Sequence, residues 1–387
     1  MTVHENEEHR ALREVVRTLG TTYGVAYMTA CADAGDYPTE LWREAGRLGL
    51  IGVSLPEEYG GGGAGLQELF IVEEELAACG SALLMLVVSP AICGTIIATY
   101  GTDDQKRRWL PGIASGDIIS AFGITEPDAG TNTHRIATTA RRDEGTGGWV
   151  LRGQKTFISG VDRADAVLVV AGVEDADTGV RRPCLFMVPT DAGGFTATPI
   201  PMEVTLAEEQ FQLFLDDVQL PADALIGDIS TGLDQLFTGL NPERIIATAM
   251  ATGTARYALD KAVAYARERS VWGTPIGAHQ GISHPLARCH IELELARQMG
   301  RHAAALADGG DRRGAAAAAN MAKYAAGEIS AKALDQAVQT LGGNGLSSEY
   351  GLARLFAVSR LPRIAPVSRE MLLNYVAQNI LGLPKSY

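Results

Sequence analysis

The chain has 387 residues, of which 46% are hydrophobic, and a formal net charge of −13 at pH 7. This length predicts two or three domains. The acidic balance, without a cluster of Lys and Arg, argues against a nucleic-acid partner. No apolar run reaches the roughly 18 residues that a membrane span needs. The polar, acidic start "MTVHENEEHR" is not typical of a secretory signal, so the sequence predicts a cytoplasmic protein.

Neither the cysteines nor the histidines predict a metal site. The five cysteines are scattered without CxxC spacing, which is typical of reduced thiols. Among the seven histidines, His279 and His284 in "HQGISH" do not have the separation of three or four that a helical pair of ligands needs.

Up to about residue 118 the pattern is helical. "PTELWREAGRLGLIG" carries Leu41, Trp42 and Ala45 at helical spacing, and "GLQELFIVEEELAAC" repeats this pattern. The glycine-rich "EEYGGGGAG" between them is not a phosphate loop, because no strand precedes it and no Lys-Ser/Thr pair follows.

From about 119 to 230 the segments are short and extended. "IATTARR" and "WVLRGQKTF" flank "DEGTGG" and predict a hairpin. Since no helix separates the strand candidates, we expect an antiparallel barrel or sandwich. From 231 onward three long helices and "REMLLNYVAQNILG" predict a four-helix bundle. The predicted fold is multidomain α+β, with an α-helical domain at 1–118, a β domain at 119–230 and a helical bundle at 231–387.

Four motifs occur in order along this α–β–α chain: "ITEPDAGTN", "KTFIS", "YARERSVWGTPIGAHQ" and "QTLGGNG". Over essentially its whole length the chain resembles the acyl-CoA dehydrogenases. The resemblance implies an FAD-containing oxidoreductase of fatty acid metabolism with an acyl-CoA substrate. It also implies a homo-oligomer, usually a tetramer, and an electron-transfer flavoprotein as electron acceptor.

The resemblance implies that the first two motifs hold the isoalloxazine ring of FAD. Thr125 would bond the pyrimidine edge, Thr131 would reach the phosphates, Phe157 would shield one edge and Ser159 would donate to the ring. A flavin needs such an apolar wall with a few donors. The alternative is a surface turn beside a core strand. The matching residues are Phe122, Ile124, Thr125, Gly130, Thr131, Phe157 and Ser159.

The other two motifs imply contacts with the FAD of a neighbouring subunit. Arg269 and Gln280 would hold its pyrophosphate and adenosine, and Trp272 would pack on the adenine side. Glycines admit a pyrophosphate close to backbone N–H groups. A solvated helix end is the alternative for Arg269. The remaining predicted contacts are Gln339, Gly342, Gly343, Ser368 and Glu370, the last standing where the family usually has a flavin-contacting Gln.

The catalytic base is where the chain departs from the family pattern. Most members carry a Glu some twenty residues after "GGNG", but here "RIAPVSRE" places Pro366 there. The isovaleryl-type and long-chain branches use a Glu-Arg pair before a long helix, and "GLNPERI" supplies Glu243 and Arg244. We therefore predict Glu243 as the base, with Arg244 orienting it and Asn241 near the pantetheine. The alternative is that Glu243 lies in a first helical turn and only favours the helix dipole.

Pro366 also lacks the backbone N–H that polarises the thioester oxygen in the family. The N–H of Val367 or Ala365 would have to replace it. Three smaller departures are Asn132 where Asp is usual, Gly160 where Asn is usual, and "LAEEQFQL" where an R-x-S-x-T pattern is usual.

The predicted reaction is α,β-dehydrogenation of an acyl thioester, carried by CoA or by a carrier protein, to a trans-2-enoyl thioester. One alternative is a non-catalytic FAD or acyl-thioester-binding homologue that lost its base at Pro366. Another is an acyl-CoA oxidase, although those chains usually carry a further C-terminal helical domain. A nitroalkane-oxidising relative would need Asp at Pro366.

Overall fold

The computed structural model describes residues 5–175 and 179–385. The chain divides into two compact units. The helical unit comprises Met1–Cys31, Gly65–Leu83 and Arg244–Tyr387, and the sheet unit comprises Ala32–Ala64 and Leu84–Glu243. The boundaries of the three predicted domains remain predictions.

Helices occur in both units. A π-helical stretch, Val87–Gly94, joins α4 to α5, and a second, Val376–Ile380, follows α12. Within the described ranges, every helix is too short or too polar to cross a membrane. The α-helices are α1 (Glu7–Ala34), α2 (Thr39–Arg47), α3 (Leu66–Ala78), α4 (Leu84–Leu86), α5 (Thr95–Tyr100), α6 (Asp103–Ser115), α7 (Gly232–Glu268), α8 (Gln280–Asp308), α9 (Arg312–Leu341), α10 (Leu352–Val358), α11 (Leu361–Ile364) and α12 (Arg369–Tyr375).

The strands β1 to β8 form one sheet in the order β6-β7-β3-β2-β4-β5-β8, with β1 beside β4, and β9 and β10 form a small hairpin. The strands are β1 (Ser120–Gly123), β2 (Thr139–Arg142), β3 (Trp149–Ser159), β4 (Ala166–Glu174), β5 (Arg181–Pro189), β6 (Phe195–Pro199), β7 (Gln210–Leu220), β8 (Leu225–Ile226), β9 (Ser270–Val271) and β10 (Thr274–Pro275).

The predicted order of helices, sheet and helices is confirmed, with two corrections to the sheet. The strand path has ends at β6 and β8, so within the described residues the sheet is open and no barrel closes. It is also not purely antiparallel, because β1 and β2 each pair with β4 in parallel. The cause is the long connection from β1 to β4, which lets the chain return in the same direction. The predicted hairpin is present as β2 and β3, which pair antiparallel.

The helical unit is built around the three long helices α7, α8 and α9. Alanine fills much of the buried face of α9, for example Ala326, Ala333 and Ala337, and these small side chains let neighbouring helices approach closely. The predicted fourth helix is divided between α12 and the π-helical turn that follows it.

A buried ion cluster joins four helices of this unit. Arg13 of α1 bonds Glu74 and Glu75 of α3 at 2.8 and 2.5 Å. Arg297 of α8 bonds Glu74 at 2.6 Å, and Arg256 of α7 lies 2.7 Å from Glu75. The cluster is completed by Glu5 and Arg301, which form a further ion pair. Burial raises the pKa of Glu74, but Arg297, Arg13 and Arg256 outweigh burial and lower this pKa to about 2. Glu74 is therefore ionised at neutral pH.

Candidate active site

The first motif forms a turn directly after β1, and the turn is tied to β3. The backbone N–H of Thr156 donates to the carbonyl of Thr125 at 2.9 Å. Below this contact the ammonium of Lys155 donates to the carbonyl of Ile124 at 3.1 Å and to the carboxylate of Glu126 at 2.8 Å. The two sequence motifs predicted to hold the ring are therefore neighbours in the structure.

The ion pair between Lys155 and Glu126 is buried, with 0% and 4% of the two side chains exposed. The Glu126 carboxylate also accepts the backbone N–H groups of Ala137 and Thr138. Burial lowers the pKa of Lys155 to about 8, although Glu126 acts in the opposite direction. Burial raises the pKa of Glu126, but hydrogen bonds from Lys155 and Thr138 outweigh it, so this pKa is lowered. Both residues lie within the quoted motifs, although the motifs themselves predicted a role for neither.

Phe157 lies on a β-bulge that turns it toward solvent. Lys155 pairs with Leu213 and Ile158 with Phe211, so two residues of β3 stand opposite one residue of β7. Phe157 has φ 56° and is 57% exposed. A left-handed backbone at an aromatic residue costs free energy, and bulges commonly redirect side chains at functional sites. An exposed aromatic ring is therefore held beside the turn.

The strand end beyond the bulge is tightly packed. Ser159 contacts the side-chain amide of Gln210, which belongs to the segment that departs from the family pattern. Gly160 has φ 67°, and a Cβ at this position would lie 2.8 Å from the Sδ of Met85. The positive φ and the neighbouring Met85 thioether together disfavour a side chain larger than glycine at this position.

The residues present fit a flavin ring and its phosphates. Phe122 is buried, while Ile124 and the hydroxyl-bearing Thr125 are partly accessible, which gives an apolar wall with polar groups beside it. Thr131 is exposed, and a Cβ at Gly130 would meet no atom within 4 Å, so the backbone there is open to a ligand. A cavity of about 580 Å³ adjoins the turn, and its lining includes Glu126, Arg135, Arg152 and Phe214.

In the helical unit the third motif forms the β9–β10 hairpin and the start of α8. Trp272 is 92% exposed with φ 53°, and its ring meets the edge of His279 at a centroid distance of 6.4 Å. Arg269 is exposed before the hairpin, and Gln280 is the first residue of α8. The Trp272 side chain is therefore not part of the core of this unit, and its contact with an adenine remains a prediction.

The fourth motif closes α9. Gly342 has φ 60°, and Cβ atoms at Gly342 and Gly343 would meet nothing within 4 Å. Gln339 is exposed one turn earlier. Further on, the hydroxyl of Ser368 accepts the N–H of Met371 and caps α12, and the carboxylate of Glu370 is exposed and paired with Arg369 at 2.7 Å. The contact roles predicted for these residues remain predictions.

Glu243 does not lie in a first helical turn. Helix α7 begins at Gly232, eleven residues before Glu243, and Pro242 lies inside it. The alternative that Glu243 only favours a helix dipole is therefore wrong, because that effect is confined to the terminal turn. Glu243 is partly buried. Burial raises the pKa of the Cys93 thiol, in the π-helical stretch, to about 12, and the negative charge of Glu243 acts in the same direction. Glu243 therefore lies near Cys93.

The helix before Glu243 packs closely on the π-helical stretch and α5. A Cβ at Gly239 would lie 2.6 Å from the side chain of Ile96 and 3.1 Å from that of Ile92. Leu236 and Leu240 join the same apolar cluster, so the turns of α7 before Glu243 are anchored among hydrophobic side chains. Asn241 precedes it and is partly buried, and Arg244 follows it and is buried.

Of the two backbone N–H groups that could replace the one missing at Pro366, that of Ala365 already forms a hydrogen bond. The N–H of Ala365 donates to the carbonyl of Leu361 at 2.8 Å. The N–H of Val367 is therefore the remaining candidate for this donor. In the described part of the chain, no group of three or more His, Cys, Asp or Glu side chains is arranged to hold a metal ion.

Three family models match the chain in series: the acyl-CoA dehydrogenase N-terminal domain at 6–117, the middle domain at 121–218 and the C-terminal domain at 230–381. The chain is 62% identical over 383 residues to acyl-CoA dehydrogenase FadE12 of Mycobacterium tuberculosis, covering 99% of this chain and 98% of the relative. It belongs to the acyl-CoA dehydrogenase family, and it is an enzyme with FAD as its cofactor.

Two solved structures show the same fold. One is a glutaryl-coenzyme A dehydrogenase in complex with glutaryl-CoA, with a TM-score of 0.93, 32% identity, and coverage of 100% of this chain and 98% of that one. The other is a glutaryl-CoA dehydrogenase from Mycobacterium smegmatis in complex with FADH2, with a TM-score of 0.91, 28% identity, and coverage of 99% and 97%.

Proposed function

We propose that the enzyme dehydrogenates an acyl-CoA thioester between its α and β carbons to give a trans-2-enoyl thioester, and passes the electrons to an electron-transfer flavoprotein. The observation that carries this proposal is Glu243, a partly buried carboxylate in the middle of a helix, in a chain whose other base position is Pro366. Bound FAD supplies the acceptor for the β-hydride.

Glu243 takes the α-proton. Its place on a packed helix suits that role, because a partly buried carboxylate held there meets the substrate in a fixed position. Arg244 orients Glu243, and Asn241 lies near the pantetheine. The backbone N–H of Val367 polarises the thioester carbonyl, in place of the donor that proline lacks.

Two sets of residues bind FAD. The turn and bulge of the sheet unit hold the ring through Thr125, Phe157 and Ser159. The open glycines and the exposed hairpin of the helical unit hold the pyrophosphate and adenosine of FAD bound to a second chain, chiefly through Arg269 and Trp272. Exposure of these groups in a single chain supports a homo-oligomer.

Glu243→Gln tests the assignment of the base. The change keeps the shape of the side chain but removes its proton acceptor, so anaerobic flavin reduction by acyl-CoA should slow by at least about a hundredfold. FAD content and thioester binding should stay near the native values. Glu268→Gln, an exposed change at the end of the same helix, is the matched control.

Two results would count against the proposal. If Glu243→Gln reduces its flavin at the native rate, the base lies elsewhere. If the unmodified enzyme keeps oxidised flavin with short-, medium- and long-chain acyl-CoAs alike, the chain is the non-catalytic homologue.

A further inference from the structure

Gln210 lies directly opposite Ser159, the residue predicted to donate to the flavin ring. The two are cross-strand partners at the end of β3 and the start of β7. Such partners hold their side chains within contact distance. The Nε2 and Oε1 atoms of Gln210 lie 2.9 and 3.1 Å from the Oγ of Ser159. Both polar atoms of this amide therefore lie within hydrogen-bond reach of a single hydroxyl.

The backbone of Gln210 is held on both sides, so its amide is well placed. The carbonyl of Gln210 accepts the N–H of Ile200 at 2.7 Å, and the preceding carbonyl, of Glu209, accepts the N–H of Gly160 at 2.9 Å. The next residue, Phe211, is buried and pairs with the buried Ile158. The register of the two strands after the bulge is therefore fixed at this pair.

The direction of the hydrogen bond decides what Ser159 can do. A hydroxyl has one hydrogen, whereas a carboxamide can donate through its nitrogen or accept through its oxygen. If the hydroxyl donates to Oε1, its hydrogen is used up. If Nε2 donates to the hydroxyl oxygen, the hydrogen of Ser159 remains available for a third group.

We propose that Gln210 is a positioning residue that donates to Ser159 and so directs the Ser159 hydroxyl hydrogen toward the bound flavin. This inference rests on the proposed flavin site. It gives a role to one residue of "LAEEQFQL", the segment that departs from the family pattern. The amide acts through Ser159 and does not itself need to touch the ring.

Gln210→Glu tests the direction of this bond. A carboxylate has nearly the same shape but can only accept, so Ser159 would turn its hydrogen to Glu and lose its donation to the flavin. We expect FAD to bind roughly 2- to 10-fold more weakly, which is the effect of one net hydrogen bond. The visible flavin bands should shift in the same direction as in Ser159→Ala. Gln219→Glu, which adds the same charge at an exposed position further along β7, is the matched control and should resemble the native protein.

The double variant separates positioning from a general weakening of the strand pair. Ser159→Ala combined with Gln210→Glu should bind FAD no worse than Ser159→Ala alone, because both changes remove the same donation. Gln210→Leu, which has neither polar atom, should lose less than Gln210→Glu, since it leaves the hydroxyl hydrogen free. If the Glu variant does not fold, Gln210→Leu takes its place: its smaller loss of affinity should disappear when Ser159→Ala is already present, because no hydroxyl is left to position.

The outcomes distinguish this inference from the function on which it rests. Native protein that stays colourless with excess FAD overturns both. If the native protein binds FAD but Gln210→Glu leaves the FAD affinity and the flavin spectrum unchanged, only the positioning role of Gln210 is overturned. The positioning role is also overturned if the double variant loses as much FAD binding free energy as Ser159→Ala and Gln210→Glu lose together.

Discussion

Glu74 provides a test of how the buried ion cluster holds the helical unit together. Its side chain is 0% exposed and lies within 3.0 Å of two guanidinium groups, those of Arg13 and Arg297. Glu74→Gln keeps the volume of the side chain and removes its charge. The arginines would then remain buried with too little negative charge around them, and this is the costly way to disrupt such a group.

Two routes give a similar magnitude. The pKa of Glu74 falls from 4.5 to about 2, which corresponds to about 3 kcal/mol of stability at roughly 1.4 kcal/mol for each tenfold change in acid dissociation. Removing one partner of a buried ion pair typically costs about 3–5 kcal/mol. We expect the urea midpoint at pH 7 to fall by about 1 M, because the urea slope of a chain this long is roughly 3 kcal/mol/M or more.

The pH dependence has a definite sign. Because the pKa is lower in the folded state, the stabilisation is present above pH 4.5 and is lost as the pH falls toward about 2. Glu74→Gln should lack this contribution. Glu292→Gln breaks an exposed pair with Lys332 in the same unit and serves as the control. An unchanged urea midpoint for Glu74→Gln at pH 7 would refute the reasoning.

Three further changes probe other parts of the molecule. Arg269→Ala should lower FAD content and dissociate the oligomer together, as measured by absorbance and light scattering; loss of neither would exclude a cofactor shared between chains. Lys155→Met leaves Glu126 buried without its cation and should weaken FAD binding by about tenfold or more in a fluorescence titration, whereas native affinity would show that the pair does not hold the turn. Burial raises the pKa of Glu208 from 4.5 to about 7, so the native protein should lose stability as the pH rises from about 4.5 to about 7. Glu208→Gln should abolish this loss. If the urea midpoint of the variant still falls between the two pH values, the burial of Glu208 is not its cause.

Local sequence patterns predicted the main elements, because hydrophobic periodicity and turn residues act within short segments. The hairpin of β2 and β3 is one example. They did not predict the start of α7 at Gly232. Pro242 suggests a helix beginning, but tertiary packing of Gly239 against Ile92 and Ile96 extends the helix past it. Local preference was outweighed by burial.

Local patterns also could not predict features that depend on residues far apart in the sequence. The bulge at Phe157 exists only relative to the register of β7, and the buried ion cluster joins residues as far apart as Arg13 and Arg297. The site residues came from motifs and from a resemblance, which located Ser159 but gave no role to Gln210 opposite it. Side-chain contacts of that kind require the fold.

The bulge in β3 sets the register of the rest of that strand against β7. One extra residue between Lys155 and Ile158 sets which way Phe157 points and which residue faces Gln210. If the bulge closed with every residue of β3 retained, the strand would slip by one residue against β7 and exchange its two faces from that point on. Replacing a side chain at Thr156 leaves the pairing intact. The pairing of Ser159 with Gln210 therefore depends on the bulge and not on the identity of the side chain at Thr156.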